Sequence, residues 1–167
     1  MTAIEHFPSL SVVIPVYNEE STIDQVLTAV SDQEIVTEIV IIDDCSQDNS
    51  PAIITREADR LESKRPELKV LFFQNEKNKG KGGSLKKGFQ HTTGDVIVIQ
   101  DADLEYNPQE YTRLIRPIAD EQADVVYGSR FIGGTHQVLY FWHYLGNKML
   151  TLLSNTFSNL NLTAMET

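Results

Sequence analysis

An α/β fold, with a mostly parallel sheet and helices on both faces, is what this sequence predicts, on three observations. Short β-branched runs that read as buried strands recur along the chain. They alternate with segments of helical periodicity, an order that calls for right-handed crossovers. Each run also ends in a polar cluster, and parallel sheets bind ligands beyond the carboxyl ends of their strands.

Leu10 to Val16 (LSVVIPV) is the first strand; Pro15, which has no N–H to donate, is expected where pairing stops. After Tyr17-Asn18-Glu19-Glu20-Ser21, a helix places Ile23, Val26, Leu27 and Val30 on one face. Glu38 to Ile42 is the second strand and runs into Asp43-Asp44-Cys45-Ser46. Ser50 as cap and Pro51 in the first turn open the next helix, which carries Ile53, Ile54, Ala58 and Leu61. Leu68 to Phe73 is a third strand, followed by a Lys- and Gly-rich loop, Glu76 to Gly83, and a helix through Leu85 and Phe89.

Asp95 to Gln100, with its core Val96 to Ile99, is a buried fourth strand that leads into Asp101-Ala102-Asp103. Asn107 as cap, Pro108 at the first helical position and Glu110 start a helix reaching about Ala119. Asp124 to Tyr127 is a fifth strand, closing on Gly128-Ser129-Arg130. Val138 to Leu153 is an aromatic-rich amphipathic helix; Tyr140, Trp142 and Tyr144 suit a membrane interface, a core or a dimer contact equally. The organisation expected is a nucleotide-binding core over residues 1–134 and an acceptor-side segment over 135–167.

Composition narrows the function. At 41% hydrophobic and 23% charged residues the chain is an ordinary globular one, and at 167 residues one domain is expected. Its net charge of -10 argues against a general nucleic-acid binder. A single cysteine, Cys45, excludes an intrachain disulfide and a Cys-based zinc cluster, so a reducing compartment is the default. Met1 to Pro8 has no signal-peptide pattern, and no apolar run has the roughly 18 residues a membrane span needs. His6, His91, His136 and His143 have no metal-ligand spacing.

The chemistry sits at the strand ends. Asp101 and Asp103, two apart in extended chain, can point the same way, and two hard oxygen donors make a seat for Mg²⁺ or Mn²⁺ with a diphosphate completing the shell. Alone, such a pair also suits a solvated loop. Gly80-Lys81-Gly82-Gly83-Ser84 fits neither the P-loop nor the dinucleotide fingerprint. Its glycines and following helix still suit an anion, with Lys81 as the candidate phosphate contact. Arg130 can fork onto a phosphate or sugar oxygen, or pair with a surface carboxylate. Asp43 and Asp44 suit either a turn and cap or hydrogen bonding to a base or ribose.

Taken in order, VVIPVYNEE, IVIIDDCS, NKGKGGS, QDADLEYNP and VVYGSRF resemble family 2 glycosyltransferases of the GT-A fold, more narrowly the polyprenyl-phosphate (dolichol-phosphate) sugar synthases. The resemblance runs from about Leu10 to the last residue and implies a GT-A, Rossmann-like sheet followed by a C-terminal amphipathic helical segment. It implies that Pro15, Tyr17, Glu19, Asp43 and Asp44 hold base and ribose, with Lys81 near the nucleotide. Asp101 and Asp103 would hold Mg²⁺ or Mn²⁺ on the diphosphate, with Glu105 close behind, and Arg130 would steady a phosphate. The implied reaction is inverting transfer of a hexose from UDP-glucose or GDP-mannose to a polyprenyl phosphate, by a cytoplasmic protein peripheral to the membrane and in some cases self-associating.

One position departs from the family pattern. Relatives carry aspartate, facing the reaction centre, where this chain has Ala164 in LTAMET, and alanine neither accepts a proton nor binds a hydroxyl. The chain also ends inside that motif, which reads as a truncated piece of a longer protein. Two other readings stand beside the main one: a soluble family 2 transferase extending a glycan, and a catalytically silent nucleotide-binding or scaffold domain.

Overall fold

β1 (Leu10–Val16) forms with the bounds expected and becomes an interior strand, because its apolar side chains alternate between two cores. A computed structural model of the protein describes residues 7–128. The elements that follow are α1 (Ile23–Ser31), β2 (Val36–Asp43), α2 (Ser50–Lys64), β3 (Lys69–Gln74), α3 (Gly80–Phe89) and β4 (Val96–Ile99). A 3₁₀ turn, Pro108–Glu110, leads into α4 (Tyr111–Ala119). Residues up to Gln122 form one unit; 123–128 are the described part of a second.

The sheet is wholly parallel in the order β3-β2-β1-β4. Leu10, Val12, Ile14 and Val16 of β1 and Ile39 and Ile41 of β2 meet Ile23, Val26, Leu27 and Val30 of α1, Ile54 and Leu61 of α2, and Tyr111 and Ile115 of α4. Each fully buried aliphatic side chain in this core contributes about 1.5–3 kcal/mol. On the opposite face Val13, Val40 and Ile42 pack against Leu71, Phe73 and Leu85 of α3. Helices therefore cover both faces, as the strand–helix alternation predicts. The chain moves outward through β2 and β3, then returns by α3 to place β4 on the other side of β1. That reversal leaves a crevice between the carboxyl ends of β1 and β4.

Pro15 lies opposite Ile42 of β2, whereas β4 pairs with β1 only as far as Val13↔Ile99. Its missing N–H thus falls beyond the end of β4, where no ladder bond is lost. At the opposite end of the sheet Glu38 is buried, accepting from Ser11 Oγ (2.6 Å), Thr93 N (2.7 Å) and Lys69 Nζ (2.7 Å). Burial acts to raise its pKa, but the Lys69 ammonium and these hydrogen bonds outweigh it and hold the carboxyl below its ordinary value.

α3 passes so close over the sheet that a Cβ on Gly88 would stand 2.5 Å from Val13 Cγ1 and 3.5 Å from Ile42 Cγ1. Gly88→Ala is therefore expected to cost about 1–3 kcal/mol, as overpacking does, despite alanine's better helix propensity. Denaturant unfolding measures it, and a stabilised variant would show that α3 has room to lift.

Several expectations need correction. Asp124–Tyr127 is not a strand: it makes no ladder bonds among the described residues, and Val125 and Tyr127 are exposed. A β-branched run supplies a strand's preference but not its partner. Val96–Ile99 is buried on one face only, with Ile97 and Ile99 exposed, because among the described residues β4 lies at the edge of the sheet and α3 packs over β1 and β2. The Glu76 to Gly83 loop is shorter than read, since α3 already begins at Gly80. Ser50 is not the cap of α2 but its first residue, and Asn49 takes the cap position. Asn107 caps as expected, its side chain accepting from Gln109 N. The aromatic segment 138–153 lies outside the described residues.

Candidate functional site

At the carboxyl end of the sheet a cleft of about 250 Å³ opens where β1 and β4 diverge. Pro15, Tyr17 and Glu19 come from the end of β1, Asp44 follows β2, Lys81 and Ser84 lie on α3, and Asp101 and Asp103 follow β4. Residues up to 88 positions apart in sequence, Pro15 and Asp103, thus share one space, and seven of the residues expected to bind nucleotide or metal line it. Tyr17 is exposed at its edge.

The loops that carry these groups are laced to each other. Asn18 N donates to Ser46 Oγ (2.9 Å), and Gln47 N returns to Asn18 Oδ1 (2.8 Å). Glu19 N donates to Ser50 Oγ (2.9 Å), which is what Ser50 does instead of capping. Glu20 N bonds Asp48 Oδ2 (3.1 Å) and Asn49 N bonds Glu20 Oε2 (2.9 Å). Three residues in the left-handed region, Asn18 (φ 57°), Cys45 (φ 66°) and Leu104 (φ 63°), each directly follow a cleft residue. Asparagine tolerates that region; cysteine and leucine there cost about 1–2 kcal/mol each. Sharp turns at the strand ends are held against that strain by the lacing.

Asp44 is buried and has a structural part that the sequence left open. Its Oδ1 accepts from Asn75 Nδ2 (2.8 Å) and Lys79 N (2.9 Å), and its Oδ2 accepts from Gly80 N (2.7 Å). It therefore caps α3 from another strand, and the helix's amino end favours the negative charge. Burial pushes its pKa up, but the Asn75, Lys79 and Gly80 hydrogen bonds prevail and hold it below the usual carboxylate range. Asp43, one residue earlier, does not line the cleft. It is fully buried, with Oδ2 accepting from Ser46 N (3.1 Å) and Gln74 Nε2 (3.0 Å) while Oδ1 has no partner.

Across the cleft, Lys81 Nζ lies 2.7 Å from Asp101 Oδ1 and 2.8 Å from Oδ2. Asp103, which also lines the cleft, accepts from Glu105 N at Oδ1 (3.1 Å). Gln100, buried beneath this turn, donates from Nε2 to Asp101 O (3.0 Å) and accepts from the Tyr111 hydroxyl (2.7 Å). Burial pushes the Tyr111 phenol's pKa up, so it stays neutral and donates. Gln100, Tyr111, Asn75 and Ser84 are positioning or lining residues that sequence reasoning did not single out. The polar residue ending each strand run, Gln100 and Gln74-Asn75, was the available signal.

The donor set fits a hard divalent cation. Asp101 and Asp103 offer only oxygen, and an ammonium already rests on Asp101 as a cation would. No group of three or more His, Cys, Asp or Glu capable of holding a metal occurs among the described residues, so a bound anion would have to supply further ligands. Glu19, Asp44, Asp101 and Asp103 outnumber Lys81 among the charged residues of the cleft, so a diphosphate is better received there with a cation. Arg130 and Ala164 lie outside the described residues.

The chain is also similar to known proteins. The chain is 33% identical over 130 residues to the undecaprenyl-phosphate 4-deoxy-4-formamido-L-arabinose transferase of Sodalis glossinidius, covering 75% of this chain and 38% of that protein. It is 35% identical over 127 residues to the dolichol-phosphate mannosyltransferase of Pyrococcus furiosus, covering 75% and 34%. The chain thus spans between a third and two-fifths of the length of these relatives. Among solved structures it resembles the mannosyltransferase PcManGT of Pyrobaculum calidifontis in complex with GDP-Man and Mn²⁺ (TM-score 0.53, 30% identity, 59% of this chain and 28% of that one). It also resembles the glucosyl-3-phosphoglycerate synthase of Mycobacterium tuberculosis with Mn²⁺, UDP and glucosyl-3-phosphoglycerate (TM-score 0.53, 25% identity, 67% and 40%). The GT-A-type α/β core expected from the motifs is the one observed. With the family's model matching residues 11–165, the chain belongs to glycosyl transferase family 2.

Proposed function

We propose that this chain is the nucleotide-sugar-binding core of an inverting glycosyltransferase that moves a hexose from UDP-glucose or GDP-mannose to a polyprenyl phosphate at a membrane surface. The observation that carries the proposal is the single cleft that gathers Tyr17, Glu19, Asp44, Lys81, Asp101 and Asp103 at the β1/β4 crevice. Tyr17 and Glu19 hold base and ribose, and Asp44 seats the start of α3 beside them. Asp101 and Asp103 hold Mg²⁺ or Mn²⁺. Bound there, the cation neutralises charge on the departing nucleoside diphosphate.

An acceptor phosphate oxygen attacks the anomeric carbon; its bond to the diphosphate oxygen breaks, and the electron pair leaves with the nucleoside diphosphate. The acceptor is already anionic, so little is asked of a general base. Arg130 steadies a phosphate, and segment 138–153 meets the membrane peripherally. The undecaprenyl- and dolichol-phosphate relatives support this acceptor, and the Mn²⁺ complexes support the metal. No helix among the described residues is long and apolar enough to cross a membrane. Ala164 favours a second reading, nucleotide binding without transfer, so binding and transfer are measured separately.

Calorimetric titration with UDP and with GDP, with and without Mn²⁺, tests the proposal. One nucleotide is expected to bind, and more tightly with Mn²⁺. Binding of neither would overturn the nucleotide-sugar reading; binding indifferent to Mn²⁺ would overturn the metal assignment.

A further inference from the structure

We infer that Lys81 holds the cation's place on Asp101 until ligand arrives, and that a divalent cation and a nucleoside diphosphate together displace it, which makes their binding cooperative. The inference deepens the proposed function, since it takes the cleft as a metal–nucleotide site. Lys81 Nζ sits within 2.8 Å of both Asp101 oxygens, so each oxygen already carries an ammonium contact before any metal arrives. The lysine side chain is 52% exposed and the Asp101 side chain 20%. The ammonium on its flexible stem is therefore the partner free to move. Its root is not free: Asp44 pins the backbone at Lys79 and Gly80, immediately before Lys81. Nζ thus swings about a fixed base at the mouth of the cleft that Asp103 and Ser84 also line.

A metal ion arriving alone meets an ammonium at one of its two carboxylate ligands, and either works against that charge or strips Lys81 of its partner. A diphosphate arriving with the metal gives Lys81 a new anion when Asp101 changes hands. Each ligand therefore removes the other's obstacle, and the coupling is the same read from either side. A lysine at a phosphate site is ordinarily expected only to strengthen binding. Here it weakens the binding of bare metal.

The test is Mn²⁺ binding followed by electron paramagnetic resonance of the free ion, in wild type, Lys81→Met, Lys81→Arg and Lys86→Met. The replacements fall on the exposed side of α3, and methionine and arginine match lysine in helix propensity, so folding is retained. Without nucleotide, Lys81→Met is expected to bind Mn²⁺ roughly fivefold more tightly than wild type, the size expected for a half-exposed charge pair. Lys81→Arg should stay at the wild-type value, since it keeps the charge. Lys86→Met should also stay there, since it removes a lysine not paired with Asp101. With saturating UDP or GDP, whichever the wild type binds, the tightening of Mn²⁺ by nucleotide should shrink in Lys81→Met by at least the same factor.

Equal or weaker binding of bare Mn²⁺ by Lys81→Met, or equal gains in Lys86→Met, would overturn the inference, as would absence of Mn²⁺ binding in both wild type and Lys81→Met. Failure of UDP and GDP to bind the wild type would instead overturn the proposed function, while the bare-metal arm still reads Lys81 against Asp101.

Discussion

Asp103→Ala is expected to reduce nucleotide binding in the presence of Mn²⁺ to its metal-free level. The side chain is exposed and accepts from Glu105 N, so its loss should leave stability within about 1 kcal/mol of the parent. Its removal leaves Asp101 as the sole carboxylate of the pair, still occupied by Lys81. Even partners outside a metal's own ligand shell are worth roughly 10–100-fold in affinity, and a ligand is worth at least as much. The effect should vanish when the titration is run without metal. An Asp103→Ala protein with unchanged Mn²⁺-dependent affinity would remove Asp103 from the metal site and leave the turn a solvated loop.

Asp44→Ala is expected to be the most destabilising change in the cleft. It removes the carboxylate that accepts from Asn75 Nδ2, Lys79 N and Gly80 N; Asn75 Nδ2 keeps Ser84 Oγ (3.2 Å) and Gly80 N keeps Asn78 Oδ1 (3.0 Å), so Lys79 N is the donor left without its acceptor. Hydrogen bonds to a charged group are worth about 1.5–3 kcal/mol each, and the acceptors that Asn75 Nδ2 and Gly80 N retain recover part of the loss, so a total of about 3 kcal/mol is expected. That is a fall in Tm of about 10 °C for a unit of this size. Nucleotide affinity should fall too, because Lys81 follows directly on the unpinned residues.

The loss carries a pH signature. The folded-state pKa of Asp44 lies below the unfolded value, so the unfolded chain takes up the proton first. Its contribution is complete at neutral pH and disappears as pH falls below about 4 through the lowered folded value. The stability gap between wild type and Asp44→Ala should therefore narrow in acid. A gap that is constant with pH would mean that the side chain's shape, not its charge, holds α3. Glu38 has the same sign and remains in both proteins, so it cancels from the difference.

How far the site was legible follows from the kind of interaction each residue makes. Asp101 and Asp103 were readable because residues at strand ends reach the ligand side of a parallel sheet whatever the details, whereas Tyr17 and Glu19 were singled out by the family resemblance. Lys81 was readable as a cation in a glycine-rich stretch, but not as the partner of Asp101, because that pair joins α3 to the end of β4. The neighbouring aspartates 43 and 44 could not be told apart. Successive residues at a strand end point to opposite sides, and which side holds the cleft depends on where β4 pairs. Gln100 and Tyr111 were invisible as a pair for the same reason.

By itself the sequence determined the strands and helices up to Ala119, since period-2 and period-3.6 patterns and caps are local. It also determined that polar chemistry gathers at one edge of the sheet. Only the tertiary structure decided that β4 lies beside β1 rather than beside β3, which opens the crevice. It likewise decided that Ile97 and Ile99 of β4 are exposed, that Asp44 is a helix cap and that Lys81 rests on Asp101. Those facts depend on which surfaces meet across long separations in the chain, and no local pattern encodes a partner.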